Sequence, residues 1–173
     1  MAENNAIISA CGLYRYRLER GDFMRDLAST NELAGKTVAF FGVNPSTADA
    51  SLDDATVRKW IGFCRRWGAE RFIVGNVFAF RATDVKALTT AAEPIGEENW
   101  DHIAKIAADA DVLIPCWGNR SKVPKGYRNR FERTLRHIRA QGKPVMAFGF
   151  TASGDPLHPL MLGYDTKLID WKD

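Results

Sequence analysis

Val38-Ala-Phe-Phe-Gly-Val43 runs straight into Asn44-Pro45-Ser46-Thr47, and this junction decides how the rest of the chain is read. The run is continuously apolar and of strand length, which suits a strand covered on both faces. Pro45 steers Asn44 away from the helical region, so the strand leaves through a sharp turn with a carboxamide free to project. Asp53 and Asp54 then offer N-caps. Val57, Trp60, Ile61 and Cys64 follow at helical spacing, and Gly68 can end that helix.

The same alternation continues outward. Arg71-Phe-Ile-Val-Gly-Asn-Val-Phe-Ala-Phe80 reads as a second buried strand. Residues 97–110 read as a helix with Trp100, Ile103, Ile106 and Ala107 on one face. Residues 111–117 read as a third strand, with Pro115 placing its end. Residues 127–140 form a helix with Tyr127, Phe131, Leu135 and Ile138 as its stripe, and residues 144–148 a fourth strand. Tyr14-Arg-Tyr-Arg-Leu-Glu-Arg20 alternates as a half-exposed strand does. The expectation is one α/β domain over residues 1–173, a three-layer α/β/α arrangement. Its central sheet is mainly parallel and four-stranded, with residues 14–20 as an antiparallel edge strand.

Composition excludes several classes. Of 173 residues, 46% are hydrophobic and 26% charged, which disfavours disorder. No apolar run approaches the ~20 residues of a membrane span. Met1-Ala-Glu-Asn-Asn lacks a signal-peptide layout, so a cytoplasmic protein is expected, without a membrane partner. Three widely spaced cysteines, Cys11, Cys64 and Cys116, give no disulfide framework, zinc site or four-thiolate cluster. No metal or cofactor is expected. Phosphate-loop, dinucleotide, nucleophile-elbow and zincin motifs are absent.

Net charge is +3, but its distribution is uneven. Residues 119–143 hold nine Lys/Arg and one acid, Glu132, a segment of +8 against −5 for the remainder. That asymmetry points to an anionic partner or to a solvated helix face.

Open α/β sheets bind ligands beyond the carboxyl ends of their strands. There the sequence places Gly42, Asn44 and Pro45, then Asn76 with Phe80 and Arg81, then Trp117, Gly118 and Asn119, and finally His158. Asn44 alone reads more readily as a turn cap, and Asn76 reads equally as a structural amide. Thr47, Asp49, Asp53 and Asp54 read mainly as caps, with one aspartate a possible general base. His158 lies in a Gly/Pro-rich loop, a setting that favours function over packing.

These residues carry a resemblance. Cys11-Gly-Leu-Tyr-Arg-Tyr, Gly42 to Ala50, Asp53-Asp-Ala-Thr-Val-Arg58, Asn76 to Thr83, Pro94-Ile-Gly, Trp117-Gly and His158-Pro-Leu look like a bacterial and phage family of uncharacterised proteins. More distantly, Gly42-Val-Asn44-Pro45, Phe72 to Arg81, Val112 to Gly118 and His158-Pro159-Leu160 resemble, in order, the motifs of the uracil-DNA glycosylase superfamily. Ser46 and Leu160 depart from that superfamily's pattern. The resemblance implies its fold and an N-glycosidic hydrolase acting on an unusual or damaged base in DNA or a nucleotide. Asn44 would position water, Asn76 would read the base edge and His158 would stabilise the departing base. Gly42, Pro45, Ser46, Thr47, Phe80, Arg81, Trp117 and Gly118 would complete substrate binding. Arg120, Lys122, Arg128, Arg130 and Arg133 would hold backbone phosphates. The alternatives are an inactive nucleic-acid-binding module of the same fold, or an enzyme acting on a free nucleotide or phosphorylated metabolite.

Overall fold

The computed structural model describes residues 4–24 and 27–172. Residues 1–3, on which the leader reading partly rests, lie outside them. In chain order the elements are β1 (Asn5–Ile8), β2 (Arg15–Gly21), β3 (Thr37–Gly42), α1 (Ala55–Trp67), β4 (Arg71–Asn76), α2 (Asn99–Asp109), β5 (Val112–Pro115), α3 (Asn129–Arg139), β6 (Met146–Ala147) and β7 (Ile169–Asp170).

The main sheet is mixed and five-stranded, in the order β1-β2-β4-β3-β5. β3 runs parallel to both β4 and β5, while β2 is antiparallel to β4 and β1 antiparallel to β2. This corrects the expected four-stranded, mainly parallel sheet in two places. β2 is antiparallel as expected, but it is not the edge, because β1 pairs along it. The expected fourth strand over 144–148 shrinks to β6, which pairs with β7 in a separate two-stranded ribbon. One parallel bridge, Leu113 to Val145, ties it to β5. Pro144 has no N–H to give a ladder, and Gly149 at φ 121 turns the chain away soon after.

β3 shows why the layers form. Side chains alternate across a strand, so Val38 and Phe40 join the cluster packed under α1. Ala39 and Phe41 join the cluster packed under α2 and α3. Helices therefore cover both faces. Phe40 stacks on Trp60 at 5.2 Å and meets Phe72 edge-on at 5.5 Å. Asp54 caps α1 by accepting from the Val57 N–H at 2.9 Å, and Gly68 closes it in the left-handed region at φ 73.

The strand ends are braced from α2. Fully buried Asn99, at the first position of that helix, donates through Nδ2 to the carbonyls of Asn76 at 3.0 Å and Val77 at 3.2 Å. These carbonyls sit where β4 leaves the sheet. We predict that Asn99→Ala lowers unfolding free energy by about 1–3 kcal/mol in urea titration, because it strands buried carbonyl groups. An unchanged midpoint would show that the brace is not needed.

Candidate functional site

A crevice of about 850 Å³ opens at the carboxyl ends of β3, β4 and β5. It is on the scale of a small-molecule site. Asn44, Asn76 and His158 all line it, together with Gly42, Ser46, Thr47, Trp117 and Lys122. Pro45, Phe80, Arg81, Gly118, Arg120, Arg128, Arg130 and Arg133 do not form its lining.

Asn44 follows β3 in a turn stitched to the segment after β4. Val77 and Phe78 donate to the carbonyls of Gly42 and Val43, and Ala82 donates to that of Pro45 at 2.8 Å. Within this frame Asn44 Nδ2 donates to the carbonyls of Ala82 at 2.8 Å and Pro45 at 3.2 Å. The amide is thus anchored through nitrogen. Its Oδ1 accepts no hydrogen bond among the described residues, which leaves an acceptor for a water or ligand.

Asn76 is paired in register with Gly42 across the sheet. A Cβ on Gly42 would lie 3.0 Å from Asn76 Oδ1, so the missing side chain makes room for the carboxamide. Asn76 is only 2% exposed, and its buried Nδ2 has no hydrogen-bond partner among the described residues. Its Oδ1 accepts from none of the described residues either. A buried amide left so costs stability unless a ligand or water completes it.

His158 is partly buried. Its Nδ1 accepts from the Leu160 N–H at 3.2 Å, so in the neutral ring the proton sits on Nε2. Burial pushes its pKa down, Lys122 adds to that, and Asp54 opposes it. The ring is therefore neutral at pH 7, with an N–H to give. Gly118 supports it: a Cβ there would lie 3.2 Å from the Cβ of His158.

The aspartates near Asn44 have other tasks. Asp53 pairs with Arg20 at 2.8 Å, and Asp54 caps α1. Asp49 accepts from the Ser51 and Leu52 N–H groups, each at 2.9 Å. Asp84, also in the lining, accepts from the Lys86 N–H. None of these carboxylates lacks a structural partner.

The basic segment is partly tied back onto the fold: Arg130 is buried, while Lys122, Lys125, Arg133 and Arg136 are exposed. Arg120 pairs with Asp155 at 2.7 Å and Glu132 at 2.8 Å. Arg128 donates to the carbonyls of Val123 and Ser121, both at 2.8 Å. The guanidinium carbons of Arg130 and Arg133 lie 4.4 and 5.8 Å from the centre of the Trp100 ring. Phe80 packs edge-on against Tyr14, and Arg81 donates to the Gly12 carbonyl. Trp117 tilts against Phe131 and Trp171.

Sequence reasoning missed Arg15. It lies in the 14–20 stretch read as half-exposed, yet it is 2% exposed and lines the crevice. The polar–apolar alternation of β2 hid it, because the sequence does not show the loop that covers that strand. Trp60 also lines the crevice, although its helical spacing marked it only as core.

Among the described residues, no helix is long and apolar enough to cross a membrane, and no group of three or more His, Cys, Asp or Glu is placed to hold a metal ion. The model of a family described as a protein of unknown function (DUF1643) matches residues 15–160, and the chain belongs to that family. No curated protein and no solved structure matches it.

The environment of His158 has a measurable sign. Its folded pKa lies below the unfolded value, so the neutral ring contributes stability that is fully present above about pH 6.5. That contribution is lost as pH falls through the folded pKa. We predict that His158→Gln loses less stability than the parent when acidified from pH 8 through this window. Urea midpoints at each pH provide the measurement. Parallel losses in the two proteins would refute the assignment.

Proposed function

We propose that the protein is a nucleobase-directed hydrolase that cleaves an N-glycosidic bond, with the base held in the crevice at Asn76. The observation that carries this reading is the Asn76 carboxamide, buried in the crevice wall with no hydrogen bond from the described residues. One acceptor and two donors on a planar group suit the mixed edge of a nucleobase. A ligand edge would satisfy what the fold leaves open.

Asn44 and His158 supply matching chemistry. Glycosidic cleavage leaves negative charge on the departing base and cationic character on the sugar. Asn44 Oδ1 accepts from a water and orients it. An amide is a poor base, so attack follows bond breaking rather than driving it. A neutral His158 donates Nε2–H to the base oxygen on which charge develops. The structural engagement of Asp49, Asp53, Asp54 and Asp84 is consistent with a mechanism that needs no strong general base. The likeness of the four motifs to uracil-DNA glycosylases, in order along the chain, supports the same assignment.

A second reading, a free nucleotide as substrate, is favoured by one observation. The guanidinium groups of Arg120 and Arg128 are hydrogen-bonded within the protein, and those of Arg130 and Arg133 lie over Trp100. Of the five basic residues expected to hold a nucleic-acid backbone, only Lys122 lines the crevice.

The test is base release. Oligonucleotides carrying uracil, mismatches and bulky modified bases, and a set of nucleoside monophosphates, are incubated with the protein. Abasic sites and free bases are then quantified. Release from at least one substrate is expected, with kcat reduced by about 10²-fold in Asn44→Ala and in His158→Ala. If the whole panel stays intact, the hydrolase reading falls.

A further inference from the structure

We propose that the crevice contains a phosphate subsite, built from the Arg15 guanidinium and the 46–48 loop, and that its occupant is a phosphorylated nucleoside. The nucleoside half rests on the base reading of Asn76. The phosphate half stands on Arg15 and its neighbours.

Two arginines of β2 are equally buried, each 2% exposed, and their contrast is informative. Arg20 is engaged through all three guanidinium nitrogens. Its Nε donates to Asp53 at 2.8 Å, Nη1 to the Glu19 carbonyl at 2.8 Å, and Nη2 to the carbonyls of Asp49 and Leu52. Among the described residues the Arg15 guanidinium makes one hydrogen bond, from Nη1 to the Ala48 carbonyl at 2.9 Å. Its Nε is buried with no partner, and Nη2 donates to none of the described residues. No carboxylate oxygen among those residues lies within 4.0 Å of it. A buried cation without a paired anion is expensive to keep.

Arg15 nevertheless stays charged. Burial pushes its pKa down to about 10, with Arg81 and Arg20 adding to the effect and Asp54 and Asp49 opposing it. At neutral pH the crevice wall therefore carries a cation with donors unused. The nearby carboxylates Asp53 and Asp54 are held by Arg20 and the Val57 N–H.

The loop touching Arg15 is also rich in spare donors. Ser46 and Thr47 line the same crevice. Ser46 Oγ has only a 3.5 Å contact with Thr83 Oγ1, and the Thr47 hydroxyl has no partner among the described residues. The N–H groups of Ser46 and Thr47 donate to none of those residues either. A guanidinium beside several N–H and O–H donors suits an oxyanion with many acceptor sites, which a phosphate provides. At about 850 Å³, the crevice has room for a base, a sugar and a phosphate together.

The experiment is isothermal titration on the whole protein. The probes are nucleoside 5′-monophosphates, the matching nucleosides, inorganic phosphate and a short single-stranded oligonucleotide. At least one monophosphate should bind about tenfold or more tightly than its nucleoside, as expected for charge-assisted hydrogen bonds. Arg15→Gln should abolish that advantage and Arg15→Lys restore part of it. Thr47→Val should shrink it; because Thr47 is exposed, this variant carries the test if Arg15→Gln fails to fold. An oligonucleotide that outbinds the mononucleotide, with the gain lost in Arg15→Gln, supports the subsite with a strand phosphodiester as occupant. Equal affinity for nucleoside and monophosphate overturns the subsite and leaves the base reading standing. Phosphate binding that depends on Arg15, with no effect of Asn76→Ala on any nucleoside, upholds the subsite and overturns the base reading. Absence of binding by every probe overturns both.

Discussion

Arg20 reaches from β2 into the loop between β3 and α1 and uses every guanidinium nitrogen, on the Asp53 carboxylate and the carbonyls of Glu19, Asp49 and Leu52. That loop starts at Asn44 and ends at Asp54, the N-cap of α1, so it joins the crevice to the helix covering the sheet. A loop of this kind would ordinarily be mobile at the surface. Here the strand next to it supplies a buried cation, engaged at every guanidinium nitrogen, that fixes the loop at three points. Removing one side of such a pair leaves the other charge stranded, so the constraint works in both directions. The position of β2 inside the sheet, covered by β1, is what places Arg20 and Arg15 against this loop.

With the loop fixed, the strand exits can hold groups that the fold itself does not satisfy. Gly42 lacks the Cβ that would crowd Asn76, and Asn99 steadies the backbone just beyond it. The Asn76 side chain is then held by position and packing rather than by hydrogen bonds. A polar group fixed without partners is poor for stability and well suited to recognition, because it needs no reorganisation when a ligand arrives. Asn44 divides these roles within one amide: the nitrogen anchors and the oxygen stays available. His158 does the same within one ring, with Nδ1 accepting from the chain and Nε2 left as a donor.

Much of this arrangement could be read in the sequence, because it depends on strand exits. Apolar runs locate the strands, Pro45 marks a turn after Asn44, and the loop around His158 places it outside any helix. Those local signals were enough to bring three residues to one edge. What stayed hidden depends on long-range cover. The 14–20 stretch looks half-exposed on its own, and its buried arginines are revealed only by distant contacts, Arg15 with Ala48 and Arg20 with Asp49, Leu52 and Asp53. Residues 144–148 look like a strand by composition, but a proline at their start and a glycine after them leave two residues to pair. Sheet order was similarly out of reach, since periodicity reports which faces are covered and not which neighbour covers them.

The basic segment shows where a charge count stops being informative. Its +8 is a property of sequence, but a long cationic side chain can turn back onto its own fold. Arg120 braces Asp155 and Glu132, Arg128 closes the turn before α3, and Arg130 and Arg133 lie over Trp100. The hydrogen-bonding capacity of Arg120 and Arg128 is partly consumed, while the field of all four is not. Lys122 alone carries that excess into the crevice lining, where it also favours neutral His158. Long-range attraction and local binding are thereby separated. The field of the segment can draw an anion, a screened effect that falls with salt, while within the crevice lining Arg15 holds unused donors. A chain of modest net charge can still favour an anionic ligand, because a buried guanidinium with unused donors in the crevice wall matters more for binding there than cations outside the lining.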